Sequence, residues 1–143
     1  MFKVAALTIV VASALATIVV HAPKADLTLE VARTESQREH GLMDRRVVSP
    51  HTGMLFVFER DEKVDFWMKD TLVPLDMIFV AADGTVRRVF SDVLVVAPTL
   101  PDEQIPREGA QAKYVIELAA GEASADGIAA GVKLDLRGAP PAQ

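Results

Sequence analysis

From Asp26 onward the apolar residues come in runs of five or six, each closed by residues that turn the chain. Runs of that length suit strands and are too short for helices of ten or more residues. Residues 26–31 (DLTLEV) alternate, with Leu27, Leu29 and Val31 on one side. Residues 54–58 (MLFVF) are continuously apolar between turn residues, which predicts a strand covered on both faces. Asp61-Glu62-Lys63 is read as the next turn. Residues 64–69 (VDFWMK) then alternate, placing Val64, Phe66 and Met68 on one face and Asp65, Trp67 and Lys69 on the other. Residues 75–80 end at Asp83-Gly84, the clearest hairpin signal in the chain, and return as residues 85–90. Residues 93–96, 113–118 and 132–136 complete the set of short strands.

Helical signals are few. Thr34, followed three residues later by Gln37, makes a capping box for a short helix ending near Gly41. Residues 122–126 are one helical turn stopped by Gly127. Residues 98–109 contain three prolines and are read as a long surface loop, either unstructured or closing over a site. The expected fold is mainly β (α+β): a compact curved sheet or partly closed β-barrel with two short helices. Residues 26–138 form one globular domain, being too few for two cores, and residues 139–143 are a flexible tail. The chain has no Cys, which excludes disulfides, thiolate zinc sites, a Cys nucleophile and a lipid anchor on Cys.

The first 25 residues differ in character. Lys3 precedes an uncharged stretch over residues 4–20, the pattern of a signal peptide or an N-terminal membrane anchor helix. Ala14-Leu15-Ala16 has the small-x-small form of a cleavage site, although a cut there leaves the apolar Thr17-Ile18-Val19-Val20 on the mature chain. Retained instead, residues 4–20 would span about 26 Å and anchor the protein to the inner membrane. Either fate makes the protein exported and periplasmic. Without Lys3 and Lys24, 13 basic residues face 20 acidic ones, a net charge of −7. A surface of that sign repels phosphate backbones, so no nucleic-acid partner is expected.

The densest motifs lie between residues 41 and 80: GLMDR at 41–45, GMLFVF at 53–58, FWMKDT at 66–71 and PLDMIF at 74–79. In this order and spacing, together with YVIELAAG at 114–121, they resemble the domain-of-unknown-function-192 family over about residues 27–137. One departure is Asp70, where that family usually has Asn. The resemblance implies a fold and an exported address, and carries over no reaction and no catalytic residue.

Three constellations have chemistry of their own. Asp65, Asp70 and Asp76, with Lys69 and His51 nearby in sequence, would make an acid/base hydrolase of envelope glycans if two carboxylates converge. Met43, Met54, Met68 and Met77, with His40 and His51, are soft donors for a periplasmic Cu(I) site, although Met is also a common core filler. Trp67 lies between charged neighbours on the polar side of its strand, where an indole can stack on a sugar or clamp a peptide. The favoured reading is a non-catalytic binding domain without a cofactor, its partner a small molecule, glycan or peptide of the envelope. Trp67 is the platform, and Lys69, Asp76 and Arg45 orient the ligand. An Arg45–Asp76 pair buried in the core is the structural alternative.

Overall fold

The computed structural model describes residues 14–143. Six strands, β1 (Thr17–His21), β2 (Asp26–Ala32), β3 (Thr52–Trp67), β4 (Leu75–Val80), β5 (Val86–Val93) and β6 (Arg107–Ala119), join two helices, α1 (Glu35–His40) and α2 (Glu122–Ala125). The strands form one sheet in the order β1-β2-β3-β6-β4-β5. β2 and β3 are parallel, and the other neighbouring pairs are antiparallel. A parallel pair needs a crossover, and α1 lies on it. The capping box forms as expected: Thr34 Oγ1 accepts from Gln37 N at 3.1 Å, and Gln37 Oε1 accepts from Thr34 N at 3.1 Å. At the hairpin between β4 and β5, Gly84 takes φ 90°, a conformation that side-chain-bearing residues rarely adopt.

Strand alternation divides the core in two. Leu29, Leu55, Ile78, Ile116 and Leu118 point to one face, where Ala123 and Ile128 beside α2, with Leu134 and Leu136, cover them. Met54, Phe56, Met77, Phe79 and Val115 point to the other, where Leu42 and Met68 join them. The partly closed barrel is therefore corrected to an open sheet with β1 and β5 as its edges. Closure would bury one face inside a barrel. Here non-strand segments cover one face, and Leu42, Met68 and the far arm of β3 and β6 cover the other, so the sheet has no need to close.

β3 is longer than expected. The predicted turn at Asp61-Glu62-Lys63 is instead a β-bulge, a break in register between Val57 and Glu62 within one continuous strand. Its free carbonyls are satisfied from outside: Lys113 Nζ donates to Phe58 O and, at 2.7 Å, to Glu59 O. Asp61 accepts from Ala82 N at 3.1 Å and from Arg87 Nη1 at 2.5 Å, and the Arg87 guanidinium holds its carboxyl below the usual range. A bulge bends a strand. Past it, residues 62–67 and their partners 107–112 curl over the second face of the sheet, so that Phe66 meets Phe56 edge-on at 4.9 Å and Phe79 at 5.8 Å.

Of the segment read as a leader, residues 1–13 lie outside the described residues, and with them most of the expected signal or anchor helix. Thr17–His21 forms β1 along the edge of β2, and Ala16 O accepts from Val31 N at 2.7 Å. Residues 93–96 extend β5 only as far as Val93, and residues 132–136 contribute a single bridge, Thr85 to Lys133. At the other end Gln143 N donates to Arg33 O at 2.7 Å.

Asp76 lies fully buried near the start of β4. Its Oδ1 accepts from Asp92 N and its Oδ2 from Ala123 N, both at 2.9 Å, so one carboxylate fastens β5 and α2 to the central sheet. Removing it leaves two amide donors unpaired, that of Ala123 buried and that of Asp92 part-buried. Asp76→Ala is expected to lower unfolding free energy by about 3 kcal/mol, measured by urea denaturation; a loss within experimental error would show that these bonds do not hold the fold.

Candidate functional site

The curled arm of β3, the start of β6 and α1 enclose a cleft of about 420 Å³ over the second face of the sheet. α1 has no buried residue of its own. Arg38 holds it in place, donating from Nη1 to Val57 O at 3.0 Å and Arg33 O at 2.6 Å while its guanidinium lies 5.4 Å from the centre of the Phe58 ring. Its exposed side then supplies Glu35, Glu39 and His40 to one wall. The opposite wall is Asp65, Trp67 and Lys69, and Phe56, Phe58 and Phe66 line the interior.

Trp67 is half-buried, and its indole is flanked by cations: Arg107 Cζ is 4.2 Å and Lys69 Nζ 5.2 Å from the ring centre. The Lys69 ammonium also bonds Asp102 Oδ2 at 2.7 Å, which holds it above its ordinary pKa and ties the proline-rich loop to the rim. Trp67 borders two further hollows, one with Met43 and Asp70 and the other with Phe90 and Val93. Asp65 faces Gly109 in the ladder, and a Cβ on that glycine would lie 2.0 Å from Asp65 Oδ1, so the missing side chain makes room for the carboxylate.

Glu117 lies at the floor. It is 4 % exposed, on the face of β6 that carries Val115, with Met54 of β3 and Met77 of β4 as its cross-strand neighbours. Burial, the one cause at work, pushes its carboxyl up to about 8. At neutral pH the group is mostly a neutral acid, able to donate one hydrogen bond and accept others.

The other expected residues are dispersed. Asp76 is not among the residues lining the cleft, its carboxylate being spent on two backbone amides. Arg45 pairs with Glu30 of β2, not with Asp76, and lines a separate hollow beside Val47 and Thr52. Trp67 and Lys69 alone of the four favoured residues share the cleft. Asp65, Asp70 and Asp76 do not converge: Asp65 is on the cleft wall, Asp70 is exposed at φ 51°, and Asp76 is in the core. Met54, Met68 and Met77 are buried in the second cluster and Met43 and His40 line the cleft, whereas His51 lies elsewhere beside Glu122 and Asp126. Sequence reasoning missed Glu117 and Arg107. The signal for Glu117 was present as a lone acid inside the apolar run YVIEL.

Glu117 sets a pH dependence. Between pH 4.5 and about 8 the folded chain holds a proton that the unfolded chain has released, so stability falls as pH rises through that window. Glu117→Gln cannot ionise. It is expected to match the wild type near pH 4.5 and to exceed it by up to roughly 4 kcal/mol at pH 9, read from urea midpoints at both pH values. An equal difference at the two pH values would mean that Glu117 does not titrate in this window.

Comparison with known proteins agrees with this architecture. A protein of Sinorhizobium meliloti 1021, provisionally described as a transcription regulator, is similar at 38 % identity and a TM-score of 0.74, over 86 % of this chain and 95 % of its own. A protein of unknown function from Novosphingobium aromaticivorans DSM 12444 is similar at 26 % identity and a TM-score of 0.71, over 85 % and 84 %. No curated protein matches the sequence. The family model described as an uncharacterised group, DUF192, matches residues 17–136. With a match across that length, the chain belongs to the DUF192 family of uncharacterised proteins.

Proposed function

We propose that the protein is a non-catalytic binding domain of the cell envelope, and that its cleft takes an uncharged ring bearing hydroxyl groups, a sugar unit of an envelope glycan. The observation that carries this reading is the buried Glu117 beneath an aromatic-lined cleft, where burial favours its neutral acid form. A sugar offers apolar C–H faces to aromatic rings and hydroxyls to a neutral carboxylic acid. The charges around the cleft favour a neutral ligand, since Glu35, Glu39 and Asp65 are balanced by Arg38, Lys69 and Arg107. The description of the Sinorhizobium relative suggests nucleic acid. A body of net charge −7 argues against it.

The test is calorimetry with neutral oligosaccharide fragments of envelope glycans. Trp67→Ala is expected to weaken binding at least tenfold. Wild-type affinity should fall as pH rises from 7 to 9.5 and Glu117 ionises, whereas Glu117→Gln should bind independently of pH. Binding by peptides alone would replace the glycan reading. A second reading, glycan hydrolysis with Glu117 as the acid, is favoured by the presence of Asp65 on the same cleft. It requires product formation that Glu117→Gln abolishes while binding persists.

We also propose that the leader is cleaved after Ala16. The apolar residues left by such a cut have a place, because Thr17 opens β1, while Ala14 and Ala16 are exposed. Mass spectrometry of the protein from the periplasmic fraction is expected to find Thr17 as the first residue. An intact N-terminus in the membrane fraction would support the anchored alternative.

A further inference from the structure

Away from the cleft, near the start of β2, the loop before β3 meets α2. His51 Nδ1 lies 3.1 Å from Glu122 Oε1 and 3.0 Å from Asp126 Oδ1, and one donor atom from each of the three residues falls within 4.8 Å of the others. We propose that His51, Glu122 and Asp126 bind a divalent transition-metal ion, with zinc as the best-fitting member of the class.

The arrangement is held from several sides. His51 N donates to Glu122 Oε1 at 2.9 Å, and His51 O accepts from Thr28 N at 2.9 Å, which fixes the imidazole-bearing residue to both α2 and β2. Asp126 N donates to Glu122 O at 2.9 Å, so the two carboxylates rise from adjacent levels of one helical turn. The two imidazole–carboxylate separations of about 3 Å are close to the edge of a coordination polyhedron, since ligands about 2.1 Å from zinc stand roughly 3.4 Å from one another in a tetrahedron.

A second observation separates this cluster from an ordinary surface ion pair. Asp126 is 1 % exposed, and its Oδ2 has no hydrogen-bond partner among the described residues. Its other oxygen faces the imidazole nitrogen. A carboxylate so desolvated and half-paired carries a substantial cost, which a cation bound by its oxygens would offset. The His51 side chain is 54 % exposed and gives a cation access from solvent. One imidazole with two carboxylates suits zinc or a neighbouring transition ion; calcium takes six or more oxygens, and magnesium keeps most of its water. Three protein ligands leave a fourth position to water, and the bound ion would clamp α2 to the loop before β3.

Titration of zinc chloride into the EDTA-treated, tag-free protein is expected to show one tight equivalent by calorimetry and a rise in melting temperature. His51→Ala, a change at a half-exposed side chain, should weaken that binding at least tenfold, and so should Asp126→Asn. His21→Ala should leave it unchanged. No stoichiometric zinc uptake, or uptake equally strong in His51→Ala, would overturn the proposal. Should Asp126→Asn fail to fold, the His51→Ala result decides.

Discussion

A sheet buried on both faces leaves its central strands no polar side, and the rest of the molecule follows from that. β4 is buried along its whole length and β6 over residues 115–118, and their apolar side chains there enter one cluster or the other. An acid placed there must find donors or lose its charge. Asp76 takes the first course, gripping the amides of Asp92 and Ala123 and joining three elements to one carboxylate. Glu117 takes the second: burial pushes it up to about 8, and it remains as a neutral acid at the floor of an opening. One restraint thus produces both a structural rivet and a reactive-looking group, and the difference lies in which backbone amides happen to be close.

The opening exists because β3 overruns its sheet. With the bulge at residues 58–61 pinned by Lys113 and Asp61, the strand bends back and carries Phe66 onto Phe56 and Phe79. The aromatic contacts hold the arm down, and the alternation that turns Phe66 onto the sheet must turn Trp67 away from it. α1, with no apolar face, is held by its capping box and by Arg38, and it serves as a wall. The cleft is therefore the gap between a strand folded over its own sheet and a polar helix across from it.

Much of this was legible in sequence where local pattern decides. The alternation of Leu27, Leu29 and Val31, the Asp83-Gly84 hairpin, the Thr34–Gln37 box and the division of residues 64–69 into two faces all depend on period and turn chemistry. What depends on distant partners was not legible. Asp61-Glu62-Lys63 reads as a turn until Lys113 and Arg87 arrive from other strands to satisfy a bulge. Closure into a barrel depends on whether edge strands meet, which no single strand encodes. The side of β6 that carries Glu117 was readable, but its dryness depends on Met54 and Met77 in two neighbouring strands. Arg45 and Asp76 stood out by charge and motif, yet each finds its partner elsewhere, in Glu30 and in the backbone.

The proline-rich segment is fastened in two different ways within one turn, at Asp102 and at Ile105. Ile105 is buried, whereas Asp102 is held by the exposed ammonium of Lys69 beside the indole. Exposed ion pairs weaken as dissolved ions screen them, and apolar burial does not weaken in that way. The tie between Lys69 and Asp102 beside Trp67 should therefore loosen as salinity rises while Ile105, three residues on, stays seated, so that this stretch of the rim is the part of the fold most responsive to dissolved ions.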